Sequence, residues 1–424
     1  MKKTLAMLLT AGLALAALSG CSANPPADPA PGSEPQNNMS TSDIGLAMLT
    51  PPLGESSRNI ACDDNAAFMI DPFSATVVKY DFATLKKTRL DGSSLDNTGN
   101  TATGTLEGVY SQVDLVTFKD TILAFTTVGD EQHHTAVVIE LAKDGAQQNV
   151  HTLPEGYQYG YQFSVAADQD DNIYFLLGGP SGGTIGCLNL NSGNFQSMGS
   201  VKAADQMRLC GVIGDMLVLS RGTPYFITAP GMKENSNLEP QTFSLFSLKT
   251  GTESPIEWTQ PSDKGICLFS NGRIIYLDYT NKKGAVRDVL SSKETVLQTS
   301  DDMWTHSGGI SFVGNTMFCP CYGDAPYTLA FNLVDGSCTK LEISLFSDPP
   351  SPIIPIADCG DAYFIYVGFT EIEHLFHGPG GDDYMATSAI EHYAMLAKKD
   401  IENGNPNFMQ FEGNEITNAL KGIK

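Results

Sequence analysis

Seven times along this chain a two-residue turn signal is followed at once by a short apolar run. The pairs are Asp64-Asn65, Lys119-Asp120, Asp171-Asn172, Gly214-Asp215, Asn271-Gly272, Gly314-Asn315 and Gly360-Asp361, and the runs after them include AAFMI, TILAF and RIIYL. The second turn residues lie 55, 52, 43, 57, 43 and 46 positions apart. Downstream of each run comes a hairpin, seen most clearly in Phe331–Leu341 (FNLVDGSCTKL), where apolar residues alternate around an Asp-Gly turn. Two hairpins per period of this size make a four-stranded unit, the signature of a propeller blade. The runs are short, nearly continuous and rich in Ile, Val, Tyr and Phe, as strands covered on both faces require. A two-sheet sandwich does not accommodate so many regularly spaced strands, and a β-helix repeats at about half this period. The expected fold is all-β: a seven-bladed β-propeller of four-stranded antiparallel blades over residues 43–413.

Blade one is expected over Arg58–Leu90 and is followed by a long polar connection. Later blades end near Val150, Met198, Ile256, Leu297, Leu341 and Phe411, with insertions at Arg221–Pro240 and Gly368–Ile390. The segment Ile44–Leu49 is expected to add an outer strand to the last blade and so help close the ring. Residues 414–424 read as a short, frayed helical tail.

The N-terminus reads MKKTLAMLLTAGLALAALSGCS: a basic head, then an apolar stretch, Thr4–Leu18, too short to span and stop. Leu18-Ser19-Gly20-Cys21 resembles the lipobox of bacterial lipoproteins. That resemblance implies that residues 1–20 are a signal peptide and that Cys21 carries the lipid. Each buried acyl methylene contributes about 0.8 kcal/mol to membrane attachment. Residues 21–42, rich in Pro, Ser and Asn, then form an extended tether without the apolar content to order itself. The expected location is the cell membrane, lipid-anchored and facing the extracytoplasmic side.

The full chain carries 25 basic and 48 acidic side chains, net −23. Such a surface repels nucleic acid and anionic headgroups, and keeps an exported domain soluble. Besides Cys21 there are eight cysteines, most of them inside apolar strands where a thiol packs as a small hydrophobe. They are expected to be mostly reduced, with room for one or two bridges.

Val165–Leu177 (VAADQDDNIYFLL) is similar to the strand-turn-strand of exported bacterial propellers with TolB-like and YVTN-like repeats. The resemblance implies a fold and an exported habitat, and carries over no catalytic residue. There is no WD dipeptide and no S-x-D-x-G-x-x-W box, and two tryptophans are too few for blades built around that residue.

No G-x-S-x-G elbow or phosphate-binding loop is present. Asp168, Asp170 and Asn172 have the alternation of a calcium loop, but Ile173 stands where glycine is needed, so a plain acidic turn is preferred. Two functional readings follow. The preferred one is a monomeric binding or scaffold module for a surface protein, peptide or glycan. The alternative is a glycan-processing hydrolase or lyase with its site at the propeller mouth. Candidate ligand contacts are the loop aromatics Tyr157, Tyr159, Tyr225, Trp304 and Tyr384, since aromatics give large contact area at low entropy cost. The competing reading of these rings is that they plug the channel. In Glu371–His392, one helical turn would bring His374 and His377 to one face, and the glycines after them would return Asp382. That trio suits zinc or a similar divalent ion, the one cofactor indicated. The alternative for this segment is a flap over the mouth, with Phe376 and Tyr384 as apolar contacts.

Overall fold

A computed structural model describes residues 45–50, 60–70, 77–90, 113–129, 134–144, 146–159, 164–179, 182–201, 207–222, 240–261, 265–279, 281–301, 303–306, 309–323, 325–345, 351–377, 383–405 and 407–412. These form a seven-bladed β-propeller with almost no helix. Each blade is built on a four-stranded antiparallel sheet whose strands follow one another in sequence, and the third also takes in Ala47–Met48 and Gln158–Tyr159. Blade one comprises Ala61–Cys62, Ala66–Ile70, Val77–Asp81 and Lys86–Arg89. Blade seven comprises Ile354–Asp358, Ala362–His377, Asp383–Ala397 and Phe408–Gln410. First strands of neighbouring blades touch one another, so the first strand of each blade lies at the hub and the fourth at the rim.

Seven apolar clusters are found among the described residues, one between each pair of neighbouring blades. Alternate residues of a strand point to opposite sheet faces, so each central strand feeds two clusters. In blade four, Leu217 and Leu219 pack toward blade three, while Val218 packs toward blade five. This explains the near-continuous apolar runs: neither face of a blade meets water.

The turns bear out their chemistry. The first residue of the tight turn between first and second strands has positive φ at Lys119, Asp171, Gly214, Asn271, Gly314 and Gly360. Short polar side chains cap these turns: Asp63 Oδ1 accepts from the N–H of Asn65 (2.7 Å) and Ala66 (2.8 Å). Asp168 accepts from the N–H of Asp170 and Asn172, from Asn172 Nδ2, and from the Tyr174 hydroxyl (2.7 Å). These bonds engage both carboxylate oxygens of Asp168 within the turn.

Three local expectations are corrected. The N-terminal segment does not reach the last blade. Ala47–Met48 pairs antiparallel with Val165–Ala167, the first strand of blade three, and so lies on the axis side of the hub. Closure falls instead to the other terminus. Glu412 bridges Lys86 at the outer edge of blade one, accepting from Lys87 N–H (2.8 Å) and donating to Leu85 C=O (2.7 Å). Beside it Phe411 is buried against Tyr80, ring centroids 5.1 Å apart. Finally, the Met395 hairpin is interrupted by one helical turn, Lys398–Glu402, before the fourth strand. That turn is tied back where Lys398 Nζ meets both carboxylate oxygens of Asp358, each at 2.8 Å. The tail expected at 414–424 lies outside the described residues.

All eight described cysteines are unbridged. Burial pushes the thiols up, Cys187 to about 11 and Cys210 to about 12. They are packing groups and not nucleophiles.

Candidate binding face

Every first strand runs toward its tight turn, so the propeller has two unlike faces. The tight-turn face pairs its polar groups across blades. Lys143 meets Asp63 (2.7 Å), Lys119 meets Asp171, and Arg273 donates to Asn315 Oδ1 (2.9 Å). Such exposed links add little stability each, but they leave that face occupied with itself. The opposite face is the one where second strands end and third strands begin.

From that second face rises the largest departure from a plain blade. The two central strands of blade seven are 16 and 15 residues long. Their register continues from Gly368↔His392 to His377↔Asp383, whereas the first strand pairs no further than Tyr366 and the fourth begins at Ala394. An irregularity between Tyr366 and Gly368 marks where the ribbon leaves the blade. At about 3.3 Å per residue it extends about 30 Å beyond the blade. The expected helical turn is therefore absent. Glu371–His377 is strand, because it pairs residue by residue with 383–389, and positions three apart in a strand fall on opposite faces. His374 stands opposite Ala386, and Phe376 opposite Tyr384. The side chains of His374, His377 and Tyr384, and the whole of Asp382, lie outside the described residues.

The loop aromatics are used between blades. Tyr159 donates its hydroxyl to Val137 C=O (2.8 Å) and packs edge-on against Phe125, centroids 6.0 Å apart. Tyr157 packs edge-on against Phe195 at 5.2 Å. Trp304, 7% exposed, sits in the cluster between blades five and six with its ring edge-on to Tyr279. In these positions the three side chains pack against neighbouring strands. Tyr225 and Cys21 lie outside the described residues.

Two features of the hub went unforeseen. A cavity of about 370 Å³ lies on the axis, lined by Met48–Thr50 and by first-strand residues of blades one, four, five and seven, among them Cys62, Val212, Phe269 and Ile356. Its wall is mostly apolar, and the buried hydroxyl of Ser270 on it has no protein partner. The second is Asp114, which opens the first strand of blade two. Burial raises its carboxyl to about 6, and its charge, after burial, also pushes the Tyr159 hydroxyl up. An acid opening the apolar run DLVTF is the one local signal that pointed to it. Among the described residues no group of three His, Cys, Asp or Glu side chains is placed to hold a metal.

No protein-family model matches the chain, and no curated protein matches it. Solved structures do. A Pyrococcus horikoshii acylaminoacyl peptidase is 8% identical, with 74% of this chain and 54% of that one covered and a TM-score of 0.40. A prolyl endopeptidase structure is 11% identical, with 84% and 55% covered and a TM-score of 0.44. An oligogalacturonate lyase from Vibrio parahaemolyticus is 11% identical, with 66% and 75% covered and a TM-score of 0.39. This chain thus spans about half the length of the two peptidases, and likenesses of this grade speak to neither substrate nor chemistry.

Proposed function

We propose that this protein is a lipid-anchored extracytoplasmic binding module, held by Cys21 and working through the face that bears the blade-seven ribbon. The observation that carries this is the asymmetry of the ring. One face is closed by short capped turns paired with one another, and from the other rises the blade-seven ribbon. The path of the chain supports the same arrangement. The segment beginning at Gly45 starts beside Gln169, at the tight-turn face, and runs up the axis. A net charge of −23 adds repulsion from anionic headgroups, which favours the lipid over the surface charge as the attachment.

Cell fractionation tests the anchor: the full chain stays with membranes through a salt wash, and Cys21→Ser appears in the medium or as uncleaved precursor. A processed Cys21→Ser protein still on washed membranes overturns it. The glycan-hydrolase or lyase reading draws on one group, Asp114, whose raised carboxyl suits a general acid. Loss of polysaccharide cleavage in Asp114→Asn would favour it, and an inactive parent protein removes it.

A further inference from the structure

We propose that the hub binds a small apolar monocarboxylic acid, with its body in the axial cavity and its carboxylate on Arg208. This site is separate from the ribbon and stands whether or not the ribbon face binds a partner. At about 370 Å³ the cavity falls within the range of small-molecule sites, which are mostly apolar with a few placed polar groups. Ile60, Val212, Phe269 and Ile356 give it apolar walls. On blade four the wall is Cys210, Gly211 and Val212, in the first strand, Arg208–Ile213. Arg208 opens that strand, two residues before Cys210, and so lies about 7 Å further toward the ribbon-bearing face. Leu209 between them packs toward blade three, whereas Cys210 packs toward blade five. Arg208 therefore shares the face of Cys210.

The charge at that end decides the ligand. The Arg208 side chain is half-buried and makes no hydrogen bond or ion pair with a described residue. Burial holds its guanidinium below the ordinary value, and no carboxylate acts against that. At the same end of blade four Arg221 is paired with Glu253 and donates to Ser244 Oγ (2.9 Å). Arg208 thus stands unpaired in a chain whose acids outnumber its bases 48 to 25. A partly desolvated cation without a partner is unfavourable, and a carboxylate matching its planar fork relieves that. Thr50, on the cavity wall, lies at the same end of the segment that runs along the axis beside this strand. Its Oγ1 accepts from Val165 N–H (3.3 Å), which leaves the hydroxyl proton to donate. One guanidinium balances one charge, so a monocarboxylate suits the site better than a phosphate dianion, and the apolar walls call for an apolar body.

Titration calorimetry of the purified protein with octanoate, octan-1-ol, acetate and inorganic phosphate tests the proposal. Octanoate should bind about tenfold or more tightly than octan-1-ol, which has the same body without the charge. Acetate and phosphate, which have the charge without the body, should bind more weakly still. Arg208→Gln should lower the octanoate affinity by a similar factor and leave that for octan-1-ol unchanged. Without ligand it should be at least as heat-stable as the parent, because an unpaired charge has been removed. Val212→Phe fills the cavity and should abolish binding of both. Should either variant fold poorly, the ratio of octanoate to octan-1-ol affinity on the parent protein still decides. No binding of octanoate, or equal affinity for the alcohol, would overturn the proposal. Phosphate bound as tightly as octanoate would reduce the site to a simple anion contact, and octanoate binding that survives Val212→Phe would place the ligand outside the cavity; either result overturns it too.

Discussion

Gly336 turns at φ +77° between the third and fourth strands of blade six, and a Cβ there would stand 2.2 Å from Val296 C=O of blade five. Its own carbonyl accepts from Gln298 N–H (2.9 Å), so the turn is clamped to the neighbouring blade and cannot retreat. Gly336→Ala should lower the unfolding free energy by about 1–3 kcal/mol in urea titrations, from strain and overpacking together. The Asp-Gly of this hairpin was legible, because a tight turn limits which residues fit it. Asp114 was legible only as an acid before an apolar run, since the burial that shifts it is supplied by the folded blades. Its folded carboxyl titrates at about 6, above the ordinary 3.8, so the folded state holds the proton that the unfolded chain has released. Stability from this group is therefore full below pH 4 and is lost as pH rises through 6. Asp114→Asn should flatten the stability–pH curve between pH 4 and 6 and stabilise the fold at pH 7, by at most about 3 kcal/mol. A slope in that window equal to the parent's would show that Asp114 is not the group responsible.

At the scale of elements, strands and blades were readable because each blade repeats one local grammar: a turn pair, an apolar run, a second hairpin. What closes the ring was not readable, because it depends on where two distant termini arrive. Ile44–Leu49 is apolar enough to serve as any strand, and nothing in it marks the hub over the rim. The C-terminal clasp uses one aromatic, Phe411, set among Tyr80, Phe364 and Tyr393, and a bridge of two backbone hydrogen bonds. Phe411→Ala should cost about 3–5 kcal/mol, the range for emptying a buried phenylalanine site. Val334→Ala, at a half-exposed turn, should change stability by less than about 0.5 kcal/mol. A clasp variant as stable as the Val334 control would mean that the ring is held without it. The blade-seven insertion was placed correctly as a long excursion but given the wrong period. Two histidines three apart read as one helical face, while the residues that settle the matter, 383–389, stand across the turn and pair with them as a strand.

For the whole molecule, the fold supplies two unlike faces. Capped turns and cross-blade pairs close the face from which the segment beginning at Gly45 enters the hub, and the ribbon lies on the other. Of the aromatics singled out from sequence, Tyr157, Tyr159 and Trp304 pack against neighbouring strands. Site-specific photo-crosslinking in cells puts this division to the test most directly. A photoreactive residue at Met385 on the ribbon, and another at Leu290 in a capped turn of the opposite face, are both well exposed and report on the two faces separately. The expected result is a discrete crosslinked partner from position 385 and none from position 290. A partner captured from 290 alone, or from both positions alike, would contradict the assignment of the ribbon face as the working surface.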